Sequence, residues 1–539
     1  MSAATDVLIV GSGPAGAMAA AALVARGLSV HLIHMGYDDA TFRDRIPDQP
    51  FEQIRASDPQ QAYYFLGPQG EGVPTGQVRI GSQLTPPRQF VTRNAETYLP
   101  TSGASFEPMQ SLASGGLGAA WGAAAYTYSD DELQRMGVEA PEFARYYQEV
   151  ADQIGVSGSL DDATGRDCAG QLQRIQPALP LDSNAQALLA AHDRRGSRPL
   201  RLGRIPLAIL SQDLGERRAN PQFDMDFWSD SRKSIYRPRY TLDDLAKQPN
   251  FQCTAGVLAT GFDETADGVV LRAIRPDAGA APVEFAARKL VLCAGALNSA
   301  RLVLAARGQA GVRVPLLCNP YTYMPCLQVR RLGQPAREAR HSMAQLAGMY
   351  APEDAPNELV SLQLYSYRSL LNFKLVKELP LHPWAGLQVV RLLMNSLMIV
   401  GVHHADAPSA DNWLTVRPGA AAWPLELNYQ PTAELLAQRS RREIEVLREL
   451  LVLGCVGGAR LRPGHASSIH YAGTVPHLPA GPADRHGLDD TGRLLGSRSV
   501  YVADSAGWRY LPAKGLTLTI MANARRIADH VARDLQVAA

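Results

Sequence analysis

The segment Gly11-Ser-Gly-Pro-Ala-Gly16 restricts what this chain can fold into more than any other. Before it stands the short apolar run Val7-Leu-Ile-Val10, which predicts a strand buried on both faces of a parallel sheet. After it comes an alanine-rich helical stretch from Ala17 to Arg26, ended by Gly27, and then Ser29–His34 as a second strand. Strand, glycine turn, helix and strand make a βαβ unit with the glycines at its first turn. Gly11 permits the tight turn, Gly13 lets the backbone approach a pyrophosphate, and Gly16 lets the helix pack close to the strand. The helix start then offers free N–H groups and a positive dipole end to phosphates. The context predicts dinucleotide binding; the bland alternative is a tight βα turn with no ligand. One expected piece differs. An acid normally ends the second strand and holds the ribose hydroxyls. Here His34 stands in that place, and a neutral imidazole cannot match a bidentate carboxylate.

Further along, residues 40–110 are polar and interrupted by proline and glycine, which reads as loops. The run Ser111–Gly122 contains Gly115, Gly116 and Trp121, and small residues this dense let backbone lie against a flat ligand. Ser129 with Glu132 three residues on is a capping-box signature. Residues 141–200 read as mostly helical. Residues 252–292 alternate as a β-meander, opening at Phe251-Gln-Cys-Thr, and its last strand runs into Ala294, Gly295 and Asn298, a second glycine turn before a helix. Residues 315–460 read as a substrate-facing region on an antiparallel sheet. Ser499–Asp504 reads as a strand ending in an acid, and Leu516–Leu535 as a long amphipathic helix.

Composition narrows the function classes. Of 539 residues, 46% are hydrophobic and 19% charged, which excludes a disordered chain. Lys and Arg number 53 against 52 Asp and Glu, so no strong field would draw the protein to nucleic acid or an anionic membrane. Six cysteines without a CxxC pair suggest neither a zinc ribbon nor a dithiol redox motif. The longest apolar run, 386–402, is broken by Arg391 and is shorter than the ~20 residues that span a bilayer. No secretory leader is apparent, so a cytoplasmic location without a membrane span is expected.

Four separated segments agree on one family. GSGPAG at 11–16, GGLGAAWG at 115–122, VLCAGALNSARLVL at 291–304, and HYAGT at 470–474 through the C-terminal block to residue 531 resemble the glucose–methanol–choline (GMC) oxidoreductases. These bind FAD and oxidise alcohols. The resemblance implies an α/β fold: a Rossmann-like FAD-binding domain of the GMC and p-hydroxybenzoate hydroxylase type, with a substrate domain on an antiparallel sheet. It divides the chain into a discontinuous FAD domain (1–200, 251–314, 462–539) and a substrate domain (201–250, 315–461). Val257 and Asp504 are implied beside the FAD, and Thr517 at the start of the last helix, whose N-terminal end faces the flavin. His470 matches the histidine that takes the hydroxyl proton while hydride leaves for flavin N5. The family's second active-site residue, Asn or His, falls on Gly515, so Lys514 and His477 become the candidates to replace it. His403 and His404 are adjacent on a strand and point to opposite faces, which argues against a shared metal; none is expected. FAD is expected to be non-covalent. The expected reaction is oxidation of a small-molecule alcohol, such as a sugar, glycoside or biosynthetic intermediate, with electrons passing to oxygen or an external acceptor. The two departures, His34 and Gly515, keep open a non-redox or atypical step such as a lyase, cyclase or isomerase reaction. Oligomeric state is not readable from the sequence.

Overall fold

Each position of the Val7–Val10 strand is apolar and buried, and the strand sits at the centre of a five-stranded sheet. Across that sheet the order is Val500–Val502, Lys289–Leu292, Val7–Val10, Val30–Ile33 and Phe251–Thr254, all parallel. The computed structural model describes residues 5–72, 85–138, 143–196, 198–334, 339–366, 381–393, 395–419, 422–479 and 486–537. The first two strands are braced at their start by Asp6, whose carboxylate accepts hydrogen bonds from the backbone and hydroxyl of Ser29.

The Pro14–Ala25 helix opens with a proline at its first turn, where a missing N–H costs nothing. Its buried Ala17, Ala19, Ala20 and Ala22 let it lie close against the C-terminal Thr517–Val537 helix. That helix in turn packs on Phe143–Ile154. The Ser129 capping box is present: Glu132 N donates to Ser129 Oγ, and Ser129 N donates to the Glu132 carboxylate.

The substrate side is built on a six-stranded antiparallel sheet. Its order is Cys455–Gly457, Tyr321–Gln328, Leu397–His403, Val360–Ser366, Leu346–Tyr350 and Leu200–Arg204. Even-numbered residues of the three middle strands, among them Met324, Cys326, Leu364, Val400 and Val402, are buried in one core with Val446 and Leu450 of the Ala433–Val452 helix. Odd-numbered residues face the other way. This period-two division decides which side chains can meet a ligand.

Two readings of the sequence are corrected. Phe251–Thr254 does not belong to the meander but closes the edge of the parallel sheet; the meander proper is Leu258–Glu264, Val269–Arg275 and Ala281–Ala287. The apolar run 386–402 falls on the Pro383–Leu393 helix and the Leu397–His403 strand. Within 40–110, the described residues are not all loops. Phe51–Ser57 and Gln61–Leu66 are helices, and Phe42, Ile46, Ile54, Tyr64 and Phe65 form a core with Met225 and Trp228. Their apolar partners come from a distant part of the chain, so the local sequence looked too polar to pack. Among the described residues, no helix is long and apolar enough to cross a membrane.

Candidate active site

The chain leaves the first strand through Gly11 at φ +103°. A Cβ there would collide with the Cys293 carbonyl of the adjacent strand, and one on Gly16 would collide with the Gly11 carbonyl. Glycine is required at both positions. Gly13 has open space beside it, limited only by the Gly115 carbonyl 3.9 Å from where a Cβ would stand. Gly116, at φ +55°, would put a Cβ 3.3 Å from Gly13 Cα, so the 111–122 segment lies directly over the glycine turn. Ser12 ties the two together: its hydroxyl accepts from Gly115 N at 3.2 Å and donates to the Ala113 carbonyl at 3.4 Å.

These backbones border a cavity of about 900 Å³ that extends to the antiparallel sheet. Gly11, Gly13, His34, Gly116, Trp121 and Val257 line it, as do Ala294, Gly295, Asn298, Asp504, Thr517 and His470. Gly16 and Gly115 stand one layer behind and shape the turn. Asp504 holds the second glycine turn in place. One carboxylate oxygen accepts from Gly295 N at 2.8 Å and Ser299 Oγ at 2.5 Å, and the other accepts from Ala506 N. Burial raises its pKa above the usual carboxylate value. Trp121 anchors its segment by donating from Nε1 to the Tyr236 carbonyl. His34 has both ring nitrogens occupied, Nδ1 by Ser12 Oγ at 2.8 Å and Nε2 by Cys253 Sγ at 3.5 Å. Burial lowers its pKa to about 4, so it is neutral and closes the wall of the cavity.

His470 borders the cavity where the glycine-turn half meets the sheet half. Its Nδ1 is 2.9 Å from Asn319 Oδ1. Asn319 is fully buried, and its amide nitrogen donates to the His404 carbonyl at 2.8 Å and the Pro512 carbonyl at 2.9 Å. Both amide protons are thereby used, and Oδ1 can only accept. His470 Nδ1 must therefore carry the proton, which leaves the lone pair on Nε2. Burial lowers the His470 pKa to about 4 and keeps the ring neutral. The ring of His403 stacks on it at 5.4 Å between centroids and an interplanar angle of 18°. His403 comes from the end of the Leu397–His403 strand. His404 points away, its Nε2 3.6 Å from the buried Glu443 carboxylate.

Lys514 and His477 are not brought to this cavity. Lys514 Nζ is buried and salt-bridged to Glu132 at 2.6 Å, the same carboxylate that closes the capping box. His477 is turned toward the Asp489 carbonyl, 2.7 Å from its Nδ1, and packs beside Gly507. Gly515 does border the cavity, and a Cβ on it would stand 3.1 Å from the Tyr126 ring. The ring facing His470 is therefore supplied by the sheet and not by the C-terminal block. Asn319 carried no signal in the sequence, because its partners lie 85, 151 and 193 residues away.

The sheet end of the cavity is aromatic and uncharged. Tyr321, Tyr323, Gln363, Tyr365 and Ile399 face it, and Tyr365 donates to Gln363 Oε1 at 2.6 Å. Arg340, also in the wall, is neutralised by Asp224 at 2.8 Å.

The donors and spaces fit a flavin dinucleotide. Gly11, Gly13 and Gly116 present bare backbone to the cavity. Asn298 Oδ1 and Gln110 Oε1 are buried without a hydrogen-bond partner, and buried polar atoms of that kind call for a polar ligand. The fold and site define an FAD-binding protein whose cavity is walled on another side by the six-stranded antiparallel sheet. The family model for an FAD binding domain matches residues 4–42, the first strand through the second strand and just beyond. The cofactor is FAD. No curated protein matches the chain. Among solved structures, pyridoxine 4-oxidase from Mesorbium loti is similar over 97% of this chain and 98% of its own, at 17% identity and TM-score 0.57. An FAD-dependent oxidoreductase from Chaetomium thermophilum is similar over 99% and 100%, at 16% identity and TM-score 0.58. The fold is thus that of FAD-dependent oxidoreductases along the whole chain.

Proposed function

We propose that this protein is an FAD-dependent oxidoreductase of the GMC type that oxidises a hydroxyl group on a neutral, ring-bearing small molecule to a carbonyl. The observation that carries the reading is the neutral His470 with Nδ1–H held by Asn319 and Nε2 left as a base beside the cavity. Bound FAD supplies the hydride acceptor. His470 Nε2 accepts the hydroxyl proton as the C–H bond breaks, a role worth ~10²–10⁴ in rate. His403, stacked on His470, takes the place of the second residue that Gly515 cannot supply, and it borders the cavity from the sheet. Tyr321, Tyr323 and Tyr365 supply flat apolar surface and hydroxyl groups for a ring substrate. Arg340, in the same wall as these tyrosines, is paired with Asp224, which supports a neutral substrate. A solved neighbour named for oxidation of pyridoxine agrees with this chemistry.

The experiment is anaerobic addition of neutral hydroxyl compounds, aromatic alcohols and sugars among them, to the purified flavoprotein. Bleaching of the flavin near 450 nm (roughly the usual band of an oxidised flavin) with formation of the matching aldehyde or ketone is expected. Product formed from such a compound with no flavin bleaching under anaerobiosis would overturn the reading in favour of a non-redox step. Re-oxidation by air against a dye then separates an oxidase from a dehydrogenase.

A further inference from the structure

Arg301 lines the same cavity and is 3% exposed, yet Nε and Nη1 of its guanidinium have no hydrogen-bond partner. Its one anchor is Nη2, which donates to the Pro100 carbonyl at 3.2 Å. Among the described residues that border the cavity, the other arginine is Arg340, and that one is paired with Asp224. Of the two described acids in the cavity wall, Asp224 pairs with Arg340, and Asp504 accepts from Gly295, Ser299 and Ala506. Burial alone shifts the Arg301 pKa, downward to about 9, and no carboxylate offsets it. A guanidinium desolvated in this way without a counter-charge is strongly unfavourable.

Its position says which anion completes it. Arg301 lies on the Ala296–Ala306 helix, and side chains on a helix lean toward its N-terminus. That N-terminus starts at Gly295, beside the first glycine turn: a Cβ on Gly11 would stand 3.2 Å from Ala294 Cα. Two helix N-termini, those of Pro14–Ala25 and Ala296–Ala306, therefore converge on one stretch of the wall of the cavity that Arg301 also lines. FAD carries its formal negative charge on the diphosphate and nowhere else.

We infer that Arg301, with Asn298 one turn before it, is the counter-charge site for the diphosphate of FAD. The assignment rests on FAD as cofactor and is independent of the alcohol chemistry. It also accounts for a cofactor held without an acid at position 34: charge recognition at the diphosphate takes over part of what ribose recognition supplies elsewhere.

The test uses the full-length chain stripped of FAD, with ADP and adenosine as calorimetric probes and with thermal melts of the apo and FAD-loaded forms. Arg301→Met is expected to weaken ADP ~30-fold or more, the loss typical of truncating one partner of a buried charge pair. Adenosine should stay within about twofold. The apo form should melt higher, because an unpaired buried charge is gone, while the rise in Tm on adding FAD shrinks. Arg301→Lys should recover part of the ADP affinity. Arg301→Gln repeats the measurement if the methionine variant does not accumulate. Unchanged ADP binding, an equal loss for ADP and adenosine, or an apo Tm that falls with the FAD-induced rise intact would each overturn the assignment.

Discussion

His470 is held in one tautomer by a residue that never reaches the cavity. Asn319 spends both amide protons on the His404 and Pro512 carbonyls, so its oxygen can only accept. Replacing His470 with alanine is expected to keep the flavin spectrum and lower the rate of flavin reduction by ~10²–10⁴, measured by anaerobic stopped flow. Asn319→Ala should cost stability as well as rate, since two buried carbonyls lose their donors at ~1–3 kcal/mol each. A melt and a reduction rate on the same sample check both. The pH profile carries a second expectation. Because burial holds His470 near 4, its ring is already deprotonated at neutral pH. The reduction rate should stay level from pH 8 to about 5 and fall below that, toward the folded pKa. A limb near the ordinary histidine value would mean that another group is the base.

At the level of elements, the site is a meeting of two periodicities. Glycine turns at the ends of parallel strands place backbone against one part of the cavity, and alternation along antiparallel strands places every second side chain against another. The C-terminal block joins them through Lys514, whose salt bridge to Glu132 pins the Asp130–Met136 helix to the segment before the last helix. Lys514→Met should lower Tm, because removing one partner of a buried pair costs ~3–5 kcal/mol. The rate of flavin reduction in the folded, FAD-loaded fraction should be unchanged. A lost rate with an unchanged Tm would return Lys514 to the chemistry. The glycine turn is less forgiving: Gly16→Ala collides with the Gly11 carbonyl and should yield protein that retains no FAD after gel filtration, read as the ratio of flavin to protein absorbance.

Over the whole molecule, burial of histidine makes stability depend on pH. His34, His341, His470 and His477 are each lowered to about 4, against 6.5 when exposed. The unfolded chain therefore binds protons between about pH 6.5 and 4 that the folded chain does not. Stability falls through that window as pH drops. Asp406, raised to about 6 by burial, acts in the opposite sense and offsets part of the loss. Urea titrations at pH 7.5 and pH 5, as rough brackets of the window, are expected to give a lower midpoint at the acidic value. Equal midpoints would mean these rings are solvated in solution.

The division between sequence and tertiary structure follows from the range of the interactions. The βαβ unit, the Ser129 capping box, the second glycine turn at Gly295 and the last helix were all legible, since each depends on residues a few positions apart. His470 was legible through a local motif. Lys514 and His477 were chosen for nearness in sequence to His470 or Gly515, and nearness along the chain does not say which way a buried side chain turns. Position 515 read as a missing partner, and nothing local in the sequence could show that the sheet stacks His403 on His470 across 67 residues. The core of Phe42, Phe65 and Trp228 was hidden for the same reason. By itself the sequence determined a dinucleotide-binding parallel sheet and the cofactor, and it singled out His470 as the candidate to take a proton. Only the tertiary structure decided which nitrogen of that residue is free, which ring stacks on it and which buried cation lacks a counter-charge. Those are contacts between segments that chain folding alone brings together.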